Sequence, residues 1–162
     1  MGPDKVHFEP GRGRSSSSPV DADRDRQRGQ ALLAGGPERL SADLKRVLEK
    51  RGFTIDRVAR GRDALRRVDD EDFDVVLLHF ELPDLDPIAL CQRMTDNHPD
   101  VPVMVLIEKP TLDSSIAALR AGAYDYLSWP APVESLAMSL DRAVQHRRLQ
   151  REVRRLRRRL RV

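Results

Sequence analysis

The sequence predicts an α/β domain in which helices cover both faces of a five-stranded parallel sheet. Two observations carry this expectation. Five apolar, β-prone segments alternate with five segments of helical periodicity, and two of the strands, "FDVVLLHF" and "VPVMVLI", are apolar almost throughout. Strands that are apolar on both faces are those of a buried parallel sheet, and strands separated by helices require βαβ crossovers.

The elements follow in order. "QALLAGG", from Gln30, is a short apolar run ending in two glycines, which suits a buried strand and a tight turn. Leu40, Leu44, Val47 and Leu48 repeat at helical spacing, and Gly52 stands just past their end as a cap. "FTIDRVA" alternates as a strand, and Ala64, Leu65 and Val68 mark a short helix. "FDVVLLHF" is the third strand; the turn "LPDLDP" leads into a helix carrying Ile88, Leu90, Cys91 and Met94. "VPVMVLI" is followed by a helix from Thr111 to Arg120 that Gly122 ends, then by the strand "AYDYLSW" and a helix starting near Val133. The order expected for such a doubly wound sheet is the flavodoxin-like 2-1-3-4-5, and ligands of these sheets sit beyond the carboxyl ends of the strands.

Composition sets limits on function. With 162 residues and 40% hydrophobic content, the chain has material for one core. Residues 1–28, rich in Gly, Ser, Pro and alternating charge, read as a disordered segment, residues 29–145 as the domain, and residues 146–162 as an arginine-rich helical extension. The single cysteine, Cys91, falls in a helical apolar pattern and reads as a buried structural thiol. No signal peptide or membrane-spanning run is visible, so a soluble, cytoplasmic protein is expected. Residues 142–162 hold ten arginines against Glu152 alone; this local +9 leaves −6 on residues 1–141 out of a total of +3. The body is acidic and only the tail is basic.

The motifs "FDVVLLHFELPDLD", "HPDVPVMVLI", "ALRAGAYDYL" and the pair Trp129-Pro130 agree in order and spacing with one family. From about Gln30 to Leu149 the chain resembles a response-regulator receiver domain of two-component signalling. The resemblance implies a strand-end site built from an acidic pair, a phosphoacceptor aspartate, a Thr or Ser and a Lys, which together hold Mg²⁺ and the phosphoryl group. In-line phosphoryl transfer depends on positioning and charge neutralisation, which is why that set is needed. Mapped residue by residue, every position departs. Gly35 and Gly36 stand for the acidic pair, His79 for the aspartate, Ile107 for the hydroxyl residue and Trp129 for the lysine, while Pro87 replaces a usual glycine. The expectation is a non-enzymatic pseudo-receiver that needs neither metal nor cofactor and has no catalytic residue.

His79 has no second His or Cys at ligand spacing, so it reads as a hydrogen-bonded structural histidine and not as a metal ligand or phosphohistidine. Glu81, Asp84 and Asp86 read as acids of a turn. Trp129 either anchors a partner or folds inward over the space left by phosphate and metal, with the second favoured. Tyr126 matches the aromatic that receivers use as a rotating switch, and a packing role serves it equally well.

In the tail, Leu149, Val153, Leu156 and Leu160 are spaced four, three and four, as the a/d seam of a coiled coil. The seam is too short to be stable alone. It is therefore expected to join the face of the fourth helix, fifth strand and fifth helix in a homodimer. A phosphorylation-independent protein-interaction and dimerisation module, of the kind that forms the regulatory part of a transcriptional regulator, is the leading functional expectation; nucleic-acid binding through the C-terminal arginines is the alternative.

Overall fold

The computed structural model describes residues 29–161, so the disorder expected of residues 1–28 lies outside the described residues. Ten elements alternate without exception: β1 (Gly29–Ala34), α1 (Glu38–Lys50), β2 (Phe53–Val58), α2 (Gly61–Asp70), β3 (Val75–His79), α3 (Pro87–Asn97), β4 (Val103–Glu108), α4 (Leu112–Arg120), β5 (Asp125–Trp129) and α5 (Val133–Leu160). The strands form one sheet in the order β2-β1-β3-β4-β5, all neighbours parallel, which is the flavodoxin-like order.

The two-residue period of the strands divides the core in two. Ala31, Leu33, Val75, Leu77, Met104 and Leu106 meet Leu40, Leu44 and Leu48 of α1 and Leu136, Leu140 and Val144 of α5. The intervening residues Leu32, Ala34, Val76, Leu78, Val103 and Val105 face the opposite way, onto Ala64 and Val68 of α2, Leu90, Cys91 and Met94 of α3, and Ala118 of α4. Alternate side chains point to opposite faces of a strand, so a strand apolar throughout is what a sheet covered on both sides requires. Cys91 is buried as expected, and burial pushes its thiol up to about 12, where it stays protonated.

Local chemistry fixes the helix starts. Asp86 caps α3 by accepting from the backbone N–H of Ala89 (3.0 Å), with Pro87 in the first turn. At α4, Thr111 and Ser114 form a reciprocal capping box, so the helix expected from Thr111 begins at Leu112 with Thr111 as its cap. The helix α5 runs unbroken from the domain through residue 146 into the arginine-rich tail, so the boundary drawn there in the sequence falls inside one helix. No helix of the described residues is long and apolar enough to cross a membrane.

Candidate functional site at the strand ends

The parallel register brings the carboxyl ends of the strands together. His79 ends β3 opposite Leu106 of β4, Ile107 follows Leu106, and Trp129 ends β5 opposite Glu108. The chain leaves β1 through Gly35 and Gly36, at φ +78° and +77°. Their backbone is pinned on both sides: Gly35 N–H donates to Val58 (2.9 Å) and Gly36 N–H to Glu81 (3.2 Å), while the Arg57 guanidinium donates to the Gly36 carbonyl (2.5 Å). Gly35 and Gly36 thus follow β1, while His79, Ile107 and Trp129 lie at or next to the carboxyl ends of β3, β4 and β5.

The space beside Gly36 is filled by the His79 ring. His79 is fully buried; its imidazole stacks on Phe80 at 4.4 Å and meets Trp129 edge-on at 5.3 Å. Trp129 packs against the α1/α5 core, and Ile107 against the opposite one. A Cβ at Gly36 would lie 2.8 Å from His79 Cδ2 and 2.9 Å from Cγ; at Gly35 it would lie 2.5 Å from the Glu81 carbonyl oxygen. Both glycines also hold a positive φ that an L side chain adopts at a cost. Side chains at 35 and 36 are therefore excluded twice over, by conformation and by occupied space.

The histidine's hydrogen bonding fixes its chemistry. The Glu81 N–H donates to Nδ1 (3.0 Å), which makes Nδ1 the acceptor and leaves the proton of the neutral ring on Nε2. Nε2 is buried and has no hydrogen-bond partner among the described residues. Burial holds the imidazole below the ordinary histidine range, with Glu81 and Glu108 pulling it up and Arg57 pushing it further down. The result is a neutral aromatic plug, a poor metal ligand because its one lone pair is already used.

The turn acids are occupied as well. Asp84 reaches across to α2 and accepts from Gly61 N–H (2.8 Å) and Arg62 N–H (3.1 Å), a cap supplied by a distant loop. Desolvation works against its charge, but these backbone donors outweigh it and hold the carboxyl below its usual value. With Asp86 capping α3, two of the three acids near His79 serve helix ends. Among the described residues no cluster of three or more His, Cys, Asp or Glu side chains could hold a metal ion. His98 lies at the far end of α3, with Nε2 2.6 Å from Asp69.

The tail seam and its surroundings complete the picture. Leu149, Val153, Leu156 and Leu160 are all exposed, and Tyr126 is half-buried against the core. Two features were missed in the sequence. First, Leu112, Ile116 and Leu119 form an exposed apolar stripe along α4, 77%, 37% and 52% accessible, with Met138 of α5 exposed too. Their i, i+4, i+7 spacing was available as a signal. Second, Arg147 is only 4% exposed: its guanidinium donates to the Phe73 carbonyl (2.5 Å), Asp74 (3.2 Å) and Asp72 (3.1 Å). Asp74 in turn accepts from Gln30 N–H (2.8 Å), so one buried cation ties α5 to the starts of β1 and β3. Arg151 pairs with Asp72 (3.7 Å) and Arg154 with Asp100, continuing the clamp along the helix.

Comparison with known proteins places this architecture. The response regulator receiver domain family matches residues 38–141. The transcriptional regulatory protein QseB of Haemophilus influenzae is 34% identical over 116 residues, 72% of this chain and 52% of that protein. The transcriptional regulatory protein TcrA of Mycobacterium tuberculosis is 37% identical over 105 residues, 65% of this chain and 42% of that protein. The chain thus spans about half, or less, of the length of these curated relatives. The solution structure of the beryllofluoride-activated NtrC4 receiver domain dimer superimposes with a TM-score of 0.68 at 25% identity, covering 73% of this chain and 98% of that one. Fold, register and sequence agree: this chain belongs to the response-regulator receiver family.

Proposed function

We propose that the chain is a receiver whose phosphoryl switch has been replaced by a packed aromatic plug, and that it acts without phosphorylation. It serves as a non-enzymatic, cytoplasmic interaction and dimerisation module, in the manner of the regulatory part of a transcriptional regulator. The observation that carries this reading is the fully buried His79 ring, with Gly36 moulded against it, at the position where the family needs a carboxylate. A phosphoryl acceptor must present a lone pair to solvent. Here Nδ1 is engaged by Glu81 N–H and Nε2 bears the proton. Mg²⁺ wants several oxygen ligands, and Gly35, Gly36, Ile107 and Trp129 offer no side-chain oxygen.

The dimerisation part of the reading is supported by the α4–β5–α5 face. Leu112, Ile116 and Leu119 of α4 and Met138 of α5 present exposed apolar surface, Tyr126 of β5 is half-buried, and the related NtrC4 receiver is described as a dimer. The exposed arginines of the last turn, Arg157, Arg158 and Arg159, favour nucleic-acid binding as a second reading. Binding of that kind loses affinity linearly on a log–log plot against salt; absence of any shift with duplex DNA and single-stranded RNA at low salt rules it out.

The test of the leading reading is incubation with acetyl phosphate and Mg²⁺, followed by intact mass. No phosphorylated species is expected from the wild type, and His79→Asp alone stays inert because its carboxylate gains no metal ligand or lysine. Stoichiometric, acid-labile phosphorylation of His79 would overturn the proposal.

A further inference from the structure

The tail of α5 carries two stripes with the same spacing. Arg147, Arg151 and Arg154 recur at i, i+4, i+7 and face the domain, where Asp72, Asp74 and Asp100 neutralise them. Leu149, Val153 and Leu156 lie two positions further on, and Leu160 continues their stripe at i+4 from Leu156. At about 100° per residue this turns them roughly 200° away, so they face outward. The seam is correspondingly bare, with Leu149 65% and Leu160 85% exposed, and it extends about 18 Å at 1.5 Å per residue. The clamp at Arg147 makes the seam a fixed platform: the helix cannot roll its apolar stripe onto the domain without breaking a buried ion pair.

The charge beside the seam identifies its occupant. With Val153 and Leu160 at a positions, the flanking e and g positions are Gln150, Arg157, Glu152 and Arg159. Residues 148–161 carry eight arginines and one glutamate, and Glu152 already pairs with Arg155 at 3.2 Å. A second copy in parallel would set Arg157, Arg158, Arg159 and Arg161 of the two last turns against one another at an interaxial distance of about 10 Å. The one opposite-sign pair it could form, Glu152 with Arg157 of the second copy, competes with the existing Glu152–Arg155 pair. A helix rich in Glu and Asp beside its own apolar stripe turns this repulsion into attraction. The domain itself shows the match, because carboxylates spaced along the inner face already take Arg147, Arg151 and Arg154.

We infer that the outward seam of α5 docks an acidic amphipathic helix of another protein, with apolar contacts from Leu149, Val153, Leu156 and Leu160 and ion pairs to Arg157 and Arg159. This rests on the interaction-module reading and names the class of partner. The homodimer then uses the α4–β5–α5 face, and the tail is free to recruit.

The experiment uses the full chain and fluorescently labelled synthetic helices of about three heptads. One peptide has Leu at a and d with Glu at e and g. A second replaces Glu by Lys, and a third keeps the Glu content but replaces Leu by Ser. The Leu/Glu peptide is expected to bind and gain helicity, with the other two at least about tenfold weaker. Leu156→Ser, at an exposed position outside both core clusters, is expected to weaken the Leu/Glu peptide about tenfold or more with an unchanged circular-dichroism spectrum. Equal binding of the Lys or Ser peptide overturns the inference, as does a Leu156→Ser chain that binds like the parent. So does duplex DNA that binds more tightly than the Leu/Glu peptide and is indifferent to Leu156→Ser, which assigns the tail to nucleic acid. A peptide-free chain whose dimeric mass depends on Leu156 assigns the seam to a second copy and equally defeats the proposal. None of these outcomes bears on acetyl-phosphate reactivity, so failure here is distinct from failure of the plugged-pocket reading.

Discussion

Gly36→Ala tests whether the glycine and the histidine form one unit. Two effects oppose the alanine. The backbone at φ +77° costs an L residue about 1–2 kcal/mol. The new methyl would also stand 2.8 Å from His79 Cδ2 and 2.9 Å from Cγ, against a ring held by Phe80 and Trp129; overpacking of this kind costs about 1–3 kcal/mol. Together Gly36→Ala should lose about 2–5 kcal/mol. In a His79→Ala background only the backbone part should remain, because the nearest surviving atom is the Cβ at 3.3 Å. Urea unfolding of the wild type, both single variants and the double variant closes the cycle. The expected coupling is about 1–3 kcal/mol, with the double variant more stable than additivity gives. Additivity within about 0.5 kcal/mol would refute the argument that Gly36 is there to make room for the ring.

Other predictions follow from the same geometry. Arg147→Ala removes the buried partner of Asp74 and the Phe73 carbonyl and should destabilise by about 2–4 kcal/mol in urea unfolding, with the exposed Asp72 contributing little. Loss of less than about 1 kcal/mol would show that the guanidinium is not the tie between α5 and the sheet. The folded-state pKa of His79 lies below its unfolded value, so the unfolded chain binds the proton first; stability is full above about pH 6.5 and falls as the pH drops below it. His79→Phe should flatten that part of the stability profile, and an unchanged slope would mean that another group carries it. Leu119→Arg on the exposed α4 stripe should shift the solution mass towards monomer without lowering stability. A wild type that is monomeric at high micromolar concentration, or a variant that dimerises as well, would remove the α4–β5–α5 face from the account.

The sheet was legible because its strands are apolar on both faces and its helices repeat cleanly; Leu40, Leu44 and Leu48 are all in the core. Strand order also carries Gly35 and Gly36 to the end of β1 and His79, Ile107 and Trp129 to the carboxyl ends of β3, β4 and β5. What was not legible is how that neighbourhood is filled, since stacking on Phe80 and the Glu81 N–H on Nδ1 depend on ring orientation, which spacing does not encode. Asp84 read as a turn acid because its helix, α2, lies more than twenty residues upstream. Arg147 was hidden by its own neighbourhood. Among ten arginines it reads as one more surface charge, although its i, i+4, i+7 relation to Arg151 and Arg154 marks a face opposite the leucines. A basic tail on an acidic body also suggested an external polyanion, whereas part of that charge is neutralised within the chain by Asp72, Asp74 and Asp100.

The central claim is that the strand-end position is occupied by a buried neutral ring and closed to phosphate and metal. Amide NMR spectra of the full chain, titrated with Mg²⁺ and beryllofluoride, measure this site by site. The account predicts no saturable shift at Gly35, Gly36, His79, Ile107 or Trp129, and none along α4 or β5. Saturable, Mg²⁺-dependent shifts at those five residues, propagating to Tyr126, would contradict it.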